Sequence, residues 1–131
     1  MCIFCQIAAK QLPAAILFED QDFLAFLDIS GATYGHTLLI TKQHYDNFLA
    51  LPTELLGAMG EVAQNLALTL MNKLEASGCN ILTNINEKAG QSIFHCHLHI
   101  LPRYLDDDLE LKFNQHDYDL AKIKSRFLST D

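Results

Sequence analysis

Two periodicities divide the chain. Between residues 16 and 42 the apolar side chains come in short runs, ILFED at 16–20, FLAFLDI at 23–29 and HTLLITK at 36–42. Short runs rich in Ile, Leu and Phe and bounded by turn residues predict β-strands, and the polar Asp20-Gln21-Asp22 step predicts a hairpin between the first two. From Pro52 the spacing changes: Leu55, Met59, Val62, Leu66, Leu70 and Leu74 recur at three and four residues until Gly78. That is the stripe of a long amphipathic helix, with Pro52 at the first helical position, where a missing N–H removes no bond. CNILTNI at 79–85 and FHCHLHILP at 94–102 return to strand-like runs on either side of the polar loop NEKAGQS at 86–92, the second strand ending at its proline. A short apolar segment around Ile3, Phe4 and Ile7 precedes Pro13, which ends any helix there. A tail helix, from about Tyr118 to Leu128 in the segment 116–128, closes the chain.

No repeat, low-complexity tract or Pro/Gly/Ser-rich linker interrupts this succession, and 131 residues of which half are hydrophobic make one domain, 1–131. The formal net charge of −7 argues against a nucleic-acid duplex or a membrane surface as partner, because phosphate backbones and anionic lipids demand clustered Lys and Arg. A small phosphorylated ligand needs only a few donors. The start MCIFCQIAAK has no charged segment ahead of an apolar run, and no uninterrupted apolar stretch approaches ~20 residues, so the expected compartment is the cytoplasm. There Cys2, Cys5, Cys79 and Cys96 are expected to be reduced, as core residues, metal ligands or reactive thiols. The acidic run 106–108 reads as a solvated loop, since adjacent carboxylates do not converge on one ion unaided.

The fifth apolar run holds HCHLHIL, residues 95–101. On a strand, a period of two puts Phe94, Cys96, Leu98 and Ile100 into the core and His95, His97 and His99 on the other face. Neighbours on that face lie ~6.6 Å apart and the outer pair ~13 Å, so two of these imidazoles could share a metal but all three could not. Ordinary solvent faces use Lys, Glu or Thr. A row of imidazoles points to chemistry near neutral pH, as nucleophile, general acid or phosphate donor.

The run fits His-φ-His-φ-His-φ-φ, with φ apolar, and so resembles the motif of the histidine triad (HIT) superfamily of nucleotidyl hydrolases and transferases. CIFCQI, Pro13-Ala14, FLAFLDI, GHTLLITKQH, the long helix, NINEKAGQS and ILPRY are similar, in the same order across about 2–104, to segments of small bacterial HIT proteins and their Hint-type nucleotide-binding relatives. Together with the five expected strands, the resemblance implies an α+β fold: a five-stranded, mainly antiparallel sheet, one long helix and a C-terminal helix, paired as a homodimer. Ala58, Ala63 and Ala67 beside the Leu/Met stripe would widen the helix's apolar surface towards a second copy.

The chemistry of the row and the resemblance agree on His97. A neutral imidazole attacks phosphorus through one ring nitrogen when the other carries the proton, and the resemblance implies that the middle histidine is nucleotidylated and then hydrolysed. His99, one pleat further along, is expected to donate to a non-bridging phosphate oxygen. Ser92 matches the position that assists the leaving group, although a loop-capping serine would look the same. Gly90, Gln91 and Asn84 are implied around the α-phosphate, with Asn84 alternatively a strand-end residue satisfying its own turn. His36 matches a histidine behind the nucleophile, there to orient His97, or is simply an interior hydrogen-bonded histidine. Asp28 would accept the ribose hydroxyls. By resemblance Ile3, Phe4, Ile7, Phe26, Leu27 and Ile29 wall the base pocket, although pattern alone assigns each to the core. None of these six bonds a base edge through its side chain, so base selection is expected to be loose, favouring purines for stacking area.

Cys2-x-x-Cys5 would complete, with His44 and His95, the two-Cys, two-His set of a structural zinc that many bacterial HIT proteins are similar to in this respect, though such a pair of thiols also suits two small buried side chains. No organic cofactor is expected. The implied activity is hydrolysis of a nucleoside 5′-phosphoramidate or dinucleoside polyphosphate, with a purine nucleotide as substrate. The alternative is a nucleotide- or zinc-binding regulatory module whose turnover is incidental. Retention of both Ser92 and His97 favours the enzyme, because a binder needs neither. Three positions depart from the family's pattern: Cys96 in a φ slot, Tyr34 before Gly35, and a tail after Tyr104 without tryptophan.

Overall fold

In the computed structural model, which describes residues 2–130, the first three apolar runs become β1 (Ile16–Glu19), β2 (Phe23–Leu27) and β3 (Thr37–Thr41). Asp20 makes the expected hairpin turn, its Oδ1 accepting from the amides of Asp22 at 2.9 Å and Phe23 at 2.7 Å. The helical stripe becomes α2 (Thr53–Lys73), and β4 (Gly78–Leu82) and β5 (His97–Arg103) follow. Pro52 is the residue before the helix, with extended backbone, rather than its first turn. All neighbouring strands are antiparallel, in the order β1-β2-β3-β5-β4.

Alternation then sorts the sheet into two faces. Phe23, Ala25, Leu39, Leu98 and Ile100 pack under Met59, Ala63, Leu66, Ala67 and Leu70 of α2. On the reverse, Leu24, Phe26, Leu38 and Ile40 meet Phe4 and Ile7 of a short N-terminal helix, α1 (Ile3–Ala8). Ala63 and Ala67 are buried in this core, where small side chains let α2 lie close on the sheet. They also line a groove between α2 and β4, whose open apolar surface comes from Leu68 and Ile81, 63% and 48% exposed.

The last strand begins later than its pattern suggests. The carbonyl of Thr41, where the β3–β5 ladder would continue past Ile40↔His97, accepts from His95 Nε2 at 2.6 Å, and the Cys96 amide donates to the Tyr45 carbonyl at 2.6 Å. Residues 94–96 are therefore outside the ladder, and Phe94, expected in the core, is 47% exposed. At its other end the strand runs through Pro102, which lies beyond the last β3 pair, Thr37↔Ile100.

Arg103 closes the sheet's end, donating through Nε and Nη2 to the carboxylate of Asp107 at 2.9 and 3.1 Å. The middle residue of the acidic run is therefore a structural anchor, and Asp106 and Asp108 remain solvated. Gly35 is required by its backbone: φ is 89°, and a Cβ there would stand 2.4 Å from Leu74 Cδ1. The tail ends in α3 (Leu120–Phe127), which starts where Asp119 caps the Lys122 amide at 3.1 Å. No described residue buries its apolar stripe, with Leu120, Ile123 and Phe127 all exposed. No helix among the described residues is long and apolar enough to cross a membrane.

Candidate functional site

The triad face of β5 lies over α1. The His97 ring packs edge-on against Phe4 at 5.0 Å, and its Nδ1 is 2.7 Å from the His95 carbonyl oxygen. A carbonyl only accepts, so Nδ1 carries the proton and Nε2 keeps its lone pair. Burial lowers the His97 pKa, against the opposing pull of the His95 carbonyl and of Asp28. The His99 ring centre is 5.0 Å from that of His97. Burial, then the neighbouring His97 and His36, push the His99 pKa down to about 4.

His36, just before β3, does not meet His97 as the sequence suggested. Its Nε2 is 2.9 Å from His99 Nδ1, and its Nδ1 is 3.0 Å from the Ala32 amide nitrogen. The reason is register: Leu38 pairs with His99, which brings the residue at the head of β3 alongside that ring and not the one before it. Asp28 follows β2, its Oδ1 accepting from the Ser30 amide at 2.8 Å and its Oδ2 lying 3.8 Å from His36 Nε2.

A cavity of about 320 Å³ opens between α1 and β2. Ile3, Phe4, Ile7, Phe26, Leu27 and Ile29 all line it, with Asp28 as its acidic side chain. Ile29 stands at the mouth, fully exposed. Sequence reasoning missed Leu12, Pro13, Ala14, Leu38 and Ile93, which complete the wall. Leu38 was open to discovery, since it is the cross-strand partner of Phe26, whereas Ile93 reaches the wall from an irregular loop.

That loop, between β4 and β5, brings Asn84, Gly90, Gln91 and Ser92 together ahead of the triad. Gly90 has φ 103°, and a Cβ there would crowd Asn84 Nδ2 at 3.4 Å, which itself faces the Gly90 carbonyl at 3.5 Å. Gln91 turns inward: its Oε1 accepts from the Asn86 amide at 2.8 Å, and its Nε2 donates to the carbonyls of Asp46 at 2.6 Å and Ile93 at 3.2 Å. Its side chain is thus fully engaged within the protein, so any help it gives a phosphate comes through the shape of the loop. Ser92, next to it, is exposed.

Cys2, Cys5, His44 and His95 converge, their ligand atoms all lying within 4.8 Å of one another. His95 Nδ1 is 3.4 Å from both thiol sulfurs and His44 Nδ1 is 3.3 Å from Cys5 Sγ. In a tetrahedron with bonds of about 2.3 Å to sulfur and 2.0 Å to nitrogen, those edges would be about 3.5 Å. The second nitrogens fix the tautomers: His95 Nε2 donates to Thr41, and His44 Nε2 lies 3.0 Å from Asp46 Oδ1, so both Nδ1 lone pairs face inward. Asp46 went unnoticed in the sequence, although a carboxylate two residues after a candidate ligand is a usable signal. The donor set fits zinc and can bind a metal. Cys96, by contrast, is a core residue whose burial pushes its thiol up to about 11.

Comparison with known proteins places these features in a family. The family model described as HIT domain matches residues 9–106. Protein hit of Bacillus subtilis is 47% identical over 103 residues, 79% of this chain and 71% of that protein. A crystal structure of a member of the HIT family from Bacillus subtilis superimposes with a TM-score of 0.90 at 41% identity, covering 99% of both chains. A hypothetical histidine triad nucleotide-binding protein from Sulfolobus tokodaii is 32% identical, with a TM-score of 0.79, over 95% of this chain and 87% of that one.

Proposed function

The chain belongs to the HIT family, and we propose that it is a nucleotide-binding enzyme of that family which cleaves nucleoside 5′-phosphoramidates or dinucleoside polyphosphates at the α-phosphate through a nucleotidyl-His97 intermediate. The observation that carries this reading is the 2.7 Å hydrogen bond from His97 Nδ1 to the His95 carbonyl, which leaves Nε2 bare in a site where burial disfavours the imidazolium. That lone pair attacks the α-phosphorus, and a P–N bond forms as the bond from phosphorus to the leaving nitrogen or oxygen breaks. The Ser92 hydroxyl supplies the proton that the leaving group takes. Water then attacks the same phosphorus, the P–N bond breaks, and a proton from that water returns to the serine. The products are the nucleoside monophosphate and the free amine or nucleotide. His99 donates to a non-bridging oxygen as charge develops, and Asn84 and the Gly90 backbone frame the phosphate.

The apolar cavity suits a nucleobase, preferably a purine, with Asp28 at its edge to accept the ribose hydroxyls. The Sulfolobus relative's description as a nucleotide-binding protein supports the same ligand class. Cys2, Cys5, His44 and His95 hold one structural zinc in this reading, which pins α1, and with it Phe4 and Ile7, to the start of β5. The reaction itself calls for no organic cofactor. A groove of about 500 Å³ between α2 and β4, floored by Leu68, Met71, Ile81 and Leu98, and the bare stripe of α3 support a homodimer in which a second copy covers apolar surface.

The decisive experiment is to stop turnover of an α-phosphate-labelled nucleoside phosphoramidate in alkali. Label is expected on the wild type, lost on acid treatment, and absent from His97→Ala, whose nucleotide affinity should stay within about tenfold of wild type. A wild-type rate in His97→Ala, or turnover without labelled protein, overturns the proposal.

A further inference from the structure

The thiol pair at the start of the chain is open to more than metal. Cys2 stands just before α1 and Cys5 in its first turn, and the Gln6 amide donates to the Cys2 carbonyl at 3.1 Å, so the chain between the two cysteines is one tight turn. Cα atoms three residues apart in such a turn lie under about 7 Å from each other, inside the limit for bridging by a disulfide. The two sulfurs are within 4.8 Å of each other, and both residues are only partly buried. The other two thiols differ. Cys96 is 1% exposed in the core, and Cys79 lies on the edge strand β4 with its sulfur 3.8 Å from the Asn80 carbonyl oxygen.

We infer that Cys2 and Cys5 are a reversible oxidation site, at which a hydroperoxide converts the two thiols into a disulfide and thereby unties His95, the residue whose carbonyl fixes the proton of His97. One sulfur attacks the outer oxygen of the hydroperoxide: an S–O bond forms, the O–O bond breaks, and water or an alcohol leaves, with a sulfenic acid remaining. The second sulfur then attacks the first, an S–S bond forms, the S–O bond breaks, and water leaves. Two electrons pass from the thiols to the peroxide. The protons that complete the products are those the thiols carried or, where a metal holds them as thiolates, come from solvent. Because the resolving sulfur is one turn away, oxidation stops at the disulfide, short of the irreversible acids.

The disulfide reaches the triad through His95. That ring is 0% exposed, with Nε2 bonded to the Thr41 carbonyl at 2.6 Å and Nδ1 facing the two sulfurs at 3.4 Å. A disulfide sulfur has neither a proton to give Nδ1 nor the negative charge that holds a metal there, so a buried ring nitrogen is left without a partner, which is unfavourable. The segment free to yield is 94–96, outside the β3–β5 ladder, and it carries the carbonyl that His97 Nδ1 meets at 2.7 Å. Phe4, between the two cysteines, packs edge-on against His95 at 5.9 Å and His97 at 5.0 Å, so a shift at either sulfur also reaches the base cavity. The expected loss of metal and of turnover rests on the function proposed above, and the disulfide itself does not.

Full-length, zinc-loaded protein treated with an equimolar amount of hydrogen peroxide tests this. Both thiols fall in the tryptic peptide that ends at Lys10. After alkylation of free thiols, that peptide is expected unalkylated and lighter by two hydrogen atoms, with Cys79 and Cys96 alkylated. Zinc should appear in a chromophoric chelator in step with the disulfide, and kcat should fall about tenfold or more and return with dithiothreitol and zinc. Cys2→Ser should stop at a sulfenic acid on Cys5 that dimedone captures, and Cys79→Ser should be oxidised as the wild type is. Oxidation of Cys79 ahead of the pair, sulfinic acid on Cys2 or Cys5 without a disulfide, or a disulfide that leaves zinc bound and kcat unchanged overturns the inference. The wild-type peptide decides even where a variant does not fold. The expected disulfide and zinc release in a protein that turns over no nucleotide would support the oxidation site and count against the proposed function.

Discussion

His97 donates its Nδ1 proton to the carbonyl of His95 across 2.7 Å, while the ring of His95 faces two thiols at 3.4 Å. The bare-nitrogen histidine of the triad and the Cys/His cluster therefore share one short stretch of backbone. Whatever steadies His95 also steadies the acceptor that fixes the His97 tautomer.

The first prediction concerns that cluster. The purified protein should carry about one equivalent of zinc per chain, and Cys5→Ser should lose it together with thermal stability, because metal bound only by the folded state adds its binding free energy to folding. Metal analysis and melting curves, with and without chelator, check this. Metal-free protein of undiminished stability would refute it.

Ser92→Ala should act according to the leaving group. An amine must be protonated to depart, whereas a nucleotide leaving through phosphate oxygen is already stable as an anion, so the loss in kcat should be larger for a phosphoramidate than for a dinucleoside polyphosphate. Equal losses on both substrates would show that the hydroxyl is not the proton source.

Acid should destabilise the fold through its buried histidines. An unfolded histidine titrates near about 6.5, and His99 in the fold is held to about 4, so between those values the unfolded chain binds more protons. The stabilisation is complete above the unfolded value and is lost as pH falls towards the folded one, with His36 and His97 shifted in the same direction. His99 alone contributes about 3 kcal/mol over that range. Urea unfolding at pH 7 and pH 4.5, compared between wild type and His99→Gln, measures it. An equal acid loss in both proteins would assign the effect elsewhere.

Gln91→Ala should be among the more damaging loop substitutions. It strands the Asn86 amide and the Asp46 carbonyl that the buried side chain now satisfies, at a cost of about 2 kcal/mol or more in urea unfolding. Since the same side chain spans from the triad loop to the segment that carries His44, zinc retention should weaken as well. An unchanged unfolding midpoint would show that water replaces the brace.

Much of this was legible because it is local. That ILFED, FLAFLDI and HTLLITK are short apolar runs bounded by turn residues is a property of neighbouring residues, and it located β1, β2 and β3 to within two residues at each end. The stripe from Leu55 to Leu74 located α2 for the same reason. The six residues expected around a base and the four candidate metal ligands were named through likeness to a family, and the structure brings each group together, the six around one cavity. Pattern alone could not have joined Cys2 to His95.

What the sequence by itself determined is therefore the set of faces: which side chains share one side of a strand or helix, and hence that His97 and His99 stand together. Tertiary structure alone decided the partners. Phe94 left the core because the Thr41 carbonyl was claimed by a side chain, His36 met His99 because of the β3–β5 register, and Gln91 turned inward towards the Asp46 carbonyl. Each of these depends on which carbonyl or ring nitrogen of a distant segment arrives within about 3 Å, the reach of a hydrogen bond. An imidazole's tautomer follows from that partner, and so the proton positions of identical residues in one row are set by the fold and not by their order in the chain.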